Sequence, residues 1–396
     1  MSIKLSQRVQ RIKPSPTLAV TARAASLRAA GQDIIGLGAG EPDFDTPEHI
    51  KQAARDAINA GKTKYTAVDG TVELKDAIIN KLKRDNGLDY QADQILVSCG
   101  GKQSFFNLAQ ALLDDGDEVI IPAPYWVSYP DMSLLAGGVP VIVQAGQDQA
   151  FKITPEQLEA AITEKTKLVV INSPSNPSGK AYTNDELAAL GDVLVKHPHI
   201  LIATDDMYEH ILWADEPFSN IVMACPALYD QTIVLNGVSK AYSMTGWRIG
   251  YAAGPSELMK AMKKIQSQST SNPTSISQYA AQAALEGDQS CIGEMLVAFK
   301  ERHDYVVEQL NQINGVSCIP SDGTFYCFPD FNAILNRMDS IDNDVDLAEY
   351  ILEKAGVALV PGSAFGLNGH MRISIATSMD NLVNAMDRIA KLLNDN

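Results

Sequence analysis

The feature that most constrains this chain is a series of short, β-branched, nearly all-apolar runs. They fall at 95–98, 118–121, 139–143, 168–171, 200–203 and 232–235. Runs without polar alternation suit strands covered on both faces rather than half-wetted ones. Helical patterns separate most of them, for example at 103–113 and 184–196. That alternation predicts an α/β architecture with a mostly parallel, helix-covered sheet. Ligands of such sheets sit beyond the carboxyl ends of the strands. The residues just past those ends are Gly100, Gly101 and Lys102, then Tyr125 and Trp126, then Asn176, Asp205 and Lys240.

A chain of 396 residues is long for one core, so two domains are expected. Residues 1–16 are basic and lack clear periodicity. A helix over 17–30 stopped by Gly31 and a short strand at 34–37 come next. Helices over 47–60 and 70–85 are closed by Gly61 and Gly87, since glycine accepts the left-handed turn after a helix. The segment from Gly38 to Pro47 imitates a dinucleotide fingerprint. Its spacing is wrong, and Pro42 and Pro47 block an immediate helix, so we reject that reading. We expect Gly40 to let backbone approach a ligand closely. Beyond Pro273 the texture changes. Helices at 276–286 and 289–313, a strand near 324–328, a helix at 345–354, strands at 357–360 and 371–375 and a helix at 380–393 form an α+β pattern. The predicted division is a large domain over 47–285 and a smaller one from 1–46 with 286–396.

Composition excludes several functions. The net charge of −16 argues against nucleic acid and anionic membrane as partners. It also means that an acidic substrate must be drawn in by a local cationic pocket. The five cysteines form no Cys-x-x-Cys pair and read as reduced thiols of a cytoplasmic protein. The histidines show no metal-ligand spacing. No run approaches the ~18 apolar residues of a membrane span, and the first twenty residues hold no signal-peptide core.

Between the apolar run at 232–235 and a further expected strand at 248–254 lies Asn236-Gly237-Val238-Ser239-Lys240-Ala241-Tyr242-Ser243-Met244-Thr245-Gly246-Trp247. A lysine buried there must be paired or neutralised. An imine with an aldehyde cofactor would do this. Arg248, eight positions on, is a fixed cation suited to a phosphate. Alone, a serine-lysine pair better suits a surface turn with a solvated lysine and arginine. Asp205 at a strand end likewise needs a cation or is an acidic helix cap, and Tyr208 stands three residues after it.

Together these segments resemble the class I aminotransferases of the aspartate/prephenate subgroup, pyridoxal-phosphate enzymes of fold type I, over nearly the whole chain. The resemblance implies pyridoxal 5'-phosphate as cofactor and Lys240 as its catalytic lysine. It implies that Asp205 faces the pyridine nitrogen and that Tyr208 and Asn176, in Asn172-Ser173-Pro174-Ser175-Asn176-Pro177, reach the ring oxygen. Trp126 stacks on the ring, and Gly101, Lys102 and Arg248 hold the phosphate. Tyr65 reaches the phosphate of a partner subunit in a homodimer with shared sites. Arg372, in His370-Met371-Arg372-Ile373-Ser374, grips the substrate α-carboxylate, as the planar guanidinium does well. Gly40, Trp126 and Asn176 also touch substrate.

Two positions depart from relatives. Gly237 stands where some carry a phosphate-binding serine, and Ser267 where many aspartate aminotransferases carry a side-chain-reading arginine. The distal carboxylate then falls, by resemblance, to Lys102, Arg11 and Thr17. The reaction implied is transamination between a dicarboxylic amino acid (aspartate, glutamate or arogenate) and a 2-oxo acid (2-oxoglutarate, oxaloacetate or prephenate). Transamination of neutral or aromatic amino acids and a lyase on the same fold remain open. A cofactor-sensing DNA-binding regulator is disfavoured by the charge and by the short arm before Pro14.

Overall fold

The computed structural model describes residues 3–338 and 340–394. Its strands, in chain order, are β1 (Ile35–Gly36), β2 (Ile95–Ser98), β3 (Glu118–Ala123), β4 (Val139–Gln144), β5 (Thr166–Asn172), β6 (Leu201–Asp205), β7 (Thr232–Gly237), β8 (Gly250–Ala253), β9 (Tyr326–Cys327), β10 (Val357–Ala358), β11 (Val360–Pro361) and β12 (Met371–Ser374). Strands β2 to β8 form a seven-stranded sheet in the order β2-β8-β7-β6-β5-β3-β4. The pairs β7·β6, β6·β5, β5·β3 and β3·β4 are parallel, whereas β8 is antiparallel to both β2 and β7. β8 alone is reversed. The carboxyl ends of β2, β3, β5, β6 and β7 therefore share one edge with the start of β8.

Both faces of this sheet are apolar for a visible reason. Ile95, Val97, Ile120, Val169, Ile171, Ile202 and Val234 pack on one side with Ile50, Leu74, Ile78 and Leu82 of the helices Glu48–Asn59 and Val72–Asn86. The alternate residues Leu96, Val119, Ile121, Leu168, Val170, Ala203, Ile233 and Leu235 pack on the other side with Phe105, Leu108 and Ala109 of the helix Gly101–Leu112. Successive side chains of a strand point to opposite faces, so strands apolar throughout need a helix layer on each side.

A second core gathers Leu37, Phe299, Phe325, Ile373 and Ile389 beside the three-stranded sheet β11-β12-β9. Tyr208 and Ile211, just after β6, belong to it. β1 pairs in parallel with β10, bringing the Gly38–Gly40 turn beside the carboxyl edge of the large sheet. The single strand expected at 357–360 is two strands with Leu359 between them, because β10 and β11 pair with different partners. The strand expected at 248–254 begins only at Gly250. Arg248 is left-handed at φ 57° after the turn Thr245–Trp247. The short helices Gln7–Gln10, Ser128–Leu135 and Pro155–Ala161 were not expected. The last had a readable start, with Thr154 and Gln157 forming a capping box around Pro155.

Close backbone packing brings the edge together. A Cβ at Gly250 would lie 2.3 Å from the Gly101 nitrogen and 2.5 Å from the Gly100 carbonyl carbon. Gly246, by contrast, has nothing within 4 Å of such a Cβ. Gly250→Ala should therefore destabilise by about 1–3 kcal/mol, as overpacking against backbone does. Gly246→Ala should stay within about 0.5 kcal/mol. Urea unfolding of the two variants checks this, and equal midpoints would contradict it.

Candidate active site

At the shared strand edge lies a cavity of about 450 Å³, within the usual range for small-molecule sites. Thr17, Gly40, Gly101, Lys102, Trp126, Asn176, Asp205, Tyr208, Lys240, Arg248 and Arg372 all line it. Two expected residues do not. Tyr65 is 92% exposed on the chain surface. Arg11 faces Asp115 at 3.8 Å, both side chains being well exposed.

One end of the cavity is built for an anion. The helix Gly101–Leu112 starts after Gly100, at φ 86°, with no side-chain cap. Uncapped first-turn amides and the helix dipole favour negative charge there. Arg248 lies against the same turn, donating to the Thr245 carbonyl at 2.8 Å and to the Cys99 carbonyl at 3.4 Å. A Cβ at Gly100 would sit 2.4 Å from Arg248 Nη2, so only glycine lets the guanidinium lie so close. Lys102 places its Nζ 5.2 Å from the centre of the Trp126 ring. Its pKa is pushed down by partial burial and then by Arg248. Gly237 leaves no room for a larger residue without a shift, since its Cβ would lie 3.0 Å from Gly250 Cα and the Ile249 carbonyl oxygen.

Asp205 forms another wall. Burial pushes its pKa up, opposed by hydrogen bonds from Tyr129 and the Met207 amide and by the Lys240 charge. Tyr129 donates to Oδ2 at 2.5 Å, and the Met207 amide to Oδ1 at 3.3 Å. Asn172 holds the Asp205 carbonyl at 3.0 Å. This partly buried carboxylate forms no ion pair among the described residues, so a protonated ring nitrogen fits it.

Lys240 lies within reach of both ends. Its pKa is pushed down to about 8, by burial first and then by the Arg372 charge, with Arg248 adding to this and Glu41 and Asp205 opposing it. Its Nζ donates to the Gly40 carbonyl at 2.5 Å. Arg372 is 3% exposed. Nη1 donates to Asn176 Oδ1 at 2.9 Å and Nη2 to the Gly38 carbonyl at 2.8 Å. Its guanidinium carbon lies 4.4 Å from the Tyr326 ring centre and 4.9 Å from that of Phe365. Nε has no partner, and no carboxylate pairs with this buried cation among the described residues. A carboxylate ligand would supply what the site lacks.

The family model for aminotransferase class I and II matches residues 32–389. The chain belongs to the class I and II aminotransferases. An aspartate/prephenate aminotransferase of Nitrosomonas europaea is 62% identical over 99% of this chain and 100% of its own. An aspartate aminotransferase of Geobacillus stearothermophilus is 50% identical over 99% of each. Among solved structures, the aspartate aminotransferase of Rhizobium meliloti superposes with a TM-score of 0.96 at 50% identity, covering 99% of both chains. That of Thermus thermophilus with maleate gives 0.93 at 44% identity, covering 99% of this chain and 100% of that one.

The aminotransferase site also holds residues that sequence reasoning missed. Tyr129 follows Trp126 by three positions, one helical turn, but nothing local shows that it meets Asp205. Tyr326 shares a 3.0 Å hydrogen bond with the Tyr208 hydroxyl. Tyr208 was expected to serve the cofactor ring, and its hydroxyl is engaged by this second tyrosine. Ser267 caps its own helix, donating to the Lys264 carbonyl at 2.7 Å, and does not line the cavity. The depressed Lys240 amine gives a direct test. In cofactor-free protein, competitive acetic anhydride labelling of Lys240 should rise through pH about 8, because only the unprotonated amine reacts. A midpoint at the ordinary lysine value of about 10.4 would contradict this.

Proposed function

We propose that this aminotransferase exchanges an amino group between aspartate or glutamate and a 2-oxo acid, with pyridoxal 5'-phosphate seated in the cavity. The observation that carries this reading is one cavity lined by an amine of lowered pKa, Lys240, a partly buried carboxylate, Asp205, and a buried guanidinium, Arg372, with neither of the last two in an ion pair among the described residues. When bound, pyridoxal phosphate supplies an aldehyde that amines can bond and a ring that draws electrons from the adjoining carbon. Arg248 and the first amides of the helix Gly101–Leu112 would hold its phosphate. Asp205, oriented by Tyr129, would keep a proton on the ring nitrogen. Trp126 offers a flat face to the ring, and Asn176 and Tyr208 offer polar groups to its oxygen. Arg372 holds the substrate α-carboxylate. Because its pKa is pushed down, Lys240 gives up its proton more readily than an ordinary lysine, which suits it to take and return the proton at the substrate Cα.

The names of the relatives support aspartate as donor and extend the reading to prephenate; we take arogenate as the corresponding amino acid. Maleate, the dicarboxylate in the Thermus thermophilus structure, fits the same reading. We assign the distal carboxylate to Lys102 and Thr17 at the cavity mouth. Arg11 joins them only by leaving Asp115, an exposed pair worth about 1 kcal/mol at most. Tyr65, fully outside this cavity, is assigned to the cofactor phosphate of a second subunit. Ile3, Leu5 and Leu18 are also well exposed, and a two-fold dimer is the simplest closed assembly. The proposed domain division is 47–285 against 1–46 with 286–396, and the proposed compartment is the cytoplasm.

Lys240→Ala should abolish both turnover and the visible absorbance of the cofactor–lysine bond. Wild-type turnover in that variant would overturn the proposal. With 2-oxoglutarate withheld, aspartate consumption should stop after about one equivalent per cofactor, since the amino group then has no acceptor; a lyase would go on consuming aspartate. Lys102→Ala should lower kcat/KM for aspartate and prephenate at least about thirtyfold, the equivalent of ~2 kcal/mol for a desolvated charge pair. Activity with phenylalanine should fall much less. Equal losses on both donors would assign Lys102 to the cofactor phosphate.

A further inference from the structure

On the sheet face covered by the helices Glu48–Asn59 and Val72–Asn86, outside the cavity lining, the helix Val72–Asn86 buries a lysine. Lys81 is 1% exposed and forms an ion pair and hydrogen bond with Glu209, the residue after Tyr208. The Glu209 carboxylate is fully used. Oε1 accepts from Lys81 and, at 2.7 Å, from Asn236 Nδ2, and Oε2 accepts from Asn86 Nδ2 at 2.9 Å. Asn86 Oδ1 in turn accepts from Lys81 at 2.8 Å. Asn236 Oδ1 accepts from the Gly237 amide at 2.7 Å. Asp85 lies 3.8 Å from Lys81, and His210 lies 3.5 Å from Glu209. Glu209 is held at about 2, against burial, by Lys81, then His210 and Asn86.

Two parts of the chain thus meet on one carboxylate. Glu209 lies beside Tyr208 in the turn that follows β6, whose last residue is Asp205. Asn236 lies near the end of β7, and the turn after β7 carries Lys240. Burying two charges gains little stability over apolar side chains of the same volume, so folding alone does not account for this pair. We propose that the Lys81–Glu209 pair, through Asn236, is a positioning device that holds the Asp205–Tyr208 turn and the Lys240 turn in register for amino transfer. A carboxylate that must satisfy Lys81, Asn86 and Asn236 together has one orientation, and an apolar pair would let the two turns shift. This rests on the roles of Lys240 and Asp205 proposed above.

The test replaces the pair by apolar residues in the cofactor-loaded enzyme, as Lys81→Met/Glu209→Leu, beside Asn236→Ala and Lys240→Ala. The double variant also leaves the buried Asn86 and Asn236 amides without their acceptor, so it should unfold below the wild-type temperature; assayed where it is folded, it should lose about tenfold or more in kcat, the scale expected when reacting groups are misplaced by a fraction of an ångström. KM for aspartate should stay within about threefold, because Arg372 and the carboxylate subsites are untouched. The visible absorbance of the cofactor–lysine bond should also change its pH midpoint. Asn236→Ala, which spares the ion pair, should show the same loss of kcat, and combining it with the double variant should add little. Wild-type kcat and midpoint in a folded double variant would overturn the proposal. If that variant does not fold, Asn236→Ala decides alone, with wild-type kcat overturning the proposal and a tenfold loss supporting it. Turnover surviving in Lys240→Ala would instead overturn the proposed function.

Discussion

Positive charge gathered around one cavity, and held in no ion pair among the described residues, is the constraint on which the rest of the structure depends. Lys240, Arg248 and Arg372 share the space with the carboxylates of Asp205 and Glu41, yet none of the three cations is in an ion pair among the described residues. Burial penalises the charge of Lys240, and Arg372 is 3% exposed. Lysine can respond by giving up its proton, and Lys240 is pushed toward neutrality. Arginine cannot, so Arg248 and Arg372 are held by carbonyls, by Asn176 and by the rings of Tyr326 and Phe365. The result is a pocket preorganised for anions inside a chain of net charge −16. The global field disfavours acidic ligands, and the local cluster overcomes it.

The sheet makes that cluster possible. Parallel pairing places the residues after β2, β3, β5, β6 and β7 at one edge, and reversal of β8 brings Arg248 to the same place. The charges could not converge if the backbone were kept apart. Gly100 makes room for the Arg248 guanidinium, and Gly250 for the Gly100–Gly101 peptide. These glycines are needed for close approach, and at Gly100 also for the positive φ.

The lysine buried under the helix Val72–Asn86 is held differently. Lys81 is 1% exposed and paired, with both oxygens of Glu209 engaged. The cations of the cavity stay unpaired because a ligand is to complete them. Those beneath it are complete in the protein itself, which suits scaffolding rather than chemistry.

Much of this was legible in the chain before folding. Short apolar β-branched runs with helices between them dictate a covered parallel sheet, since strand and helix periods and glycine stops are local properties. The positions of Lys240, Asp205 and Asn176 just past strand ends follow from the same pattern. Tertiary structure alone decided what those residues meet. Tyr129 bonds Asp205 across 76 positions, Lys81 reaches Glu209 across 128, and Arg372 reaches Asn176 across 196. It also decided that Arg11 faces Asp115 rather than the cavity of its own chain, and that β8 runs against its neighbours. Local sequence sets the direction and period of each element. Which side chains then share a desolvated space depends on how distant elements pack, and no window of the sequence contains that information.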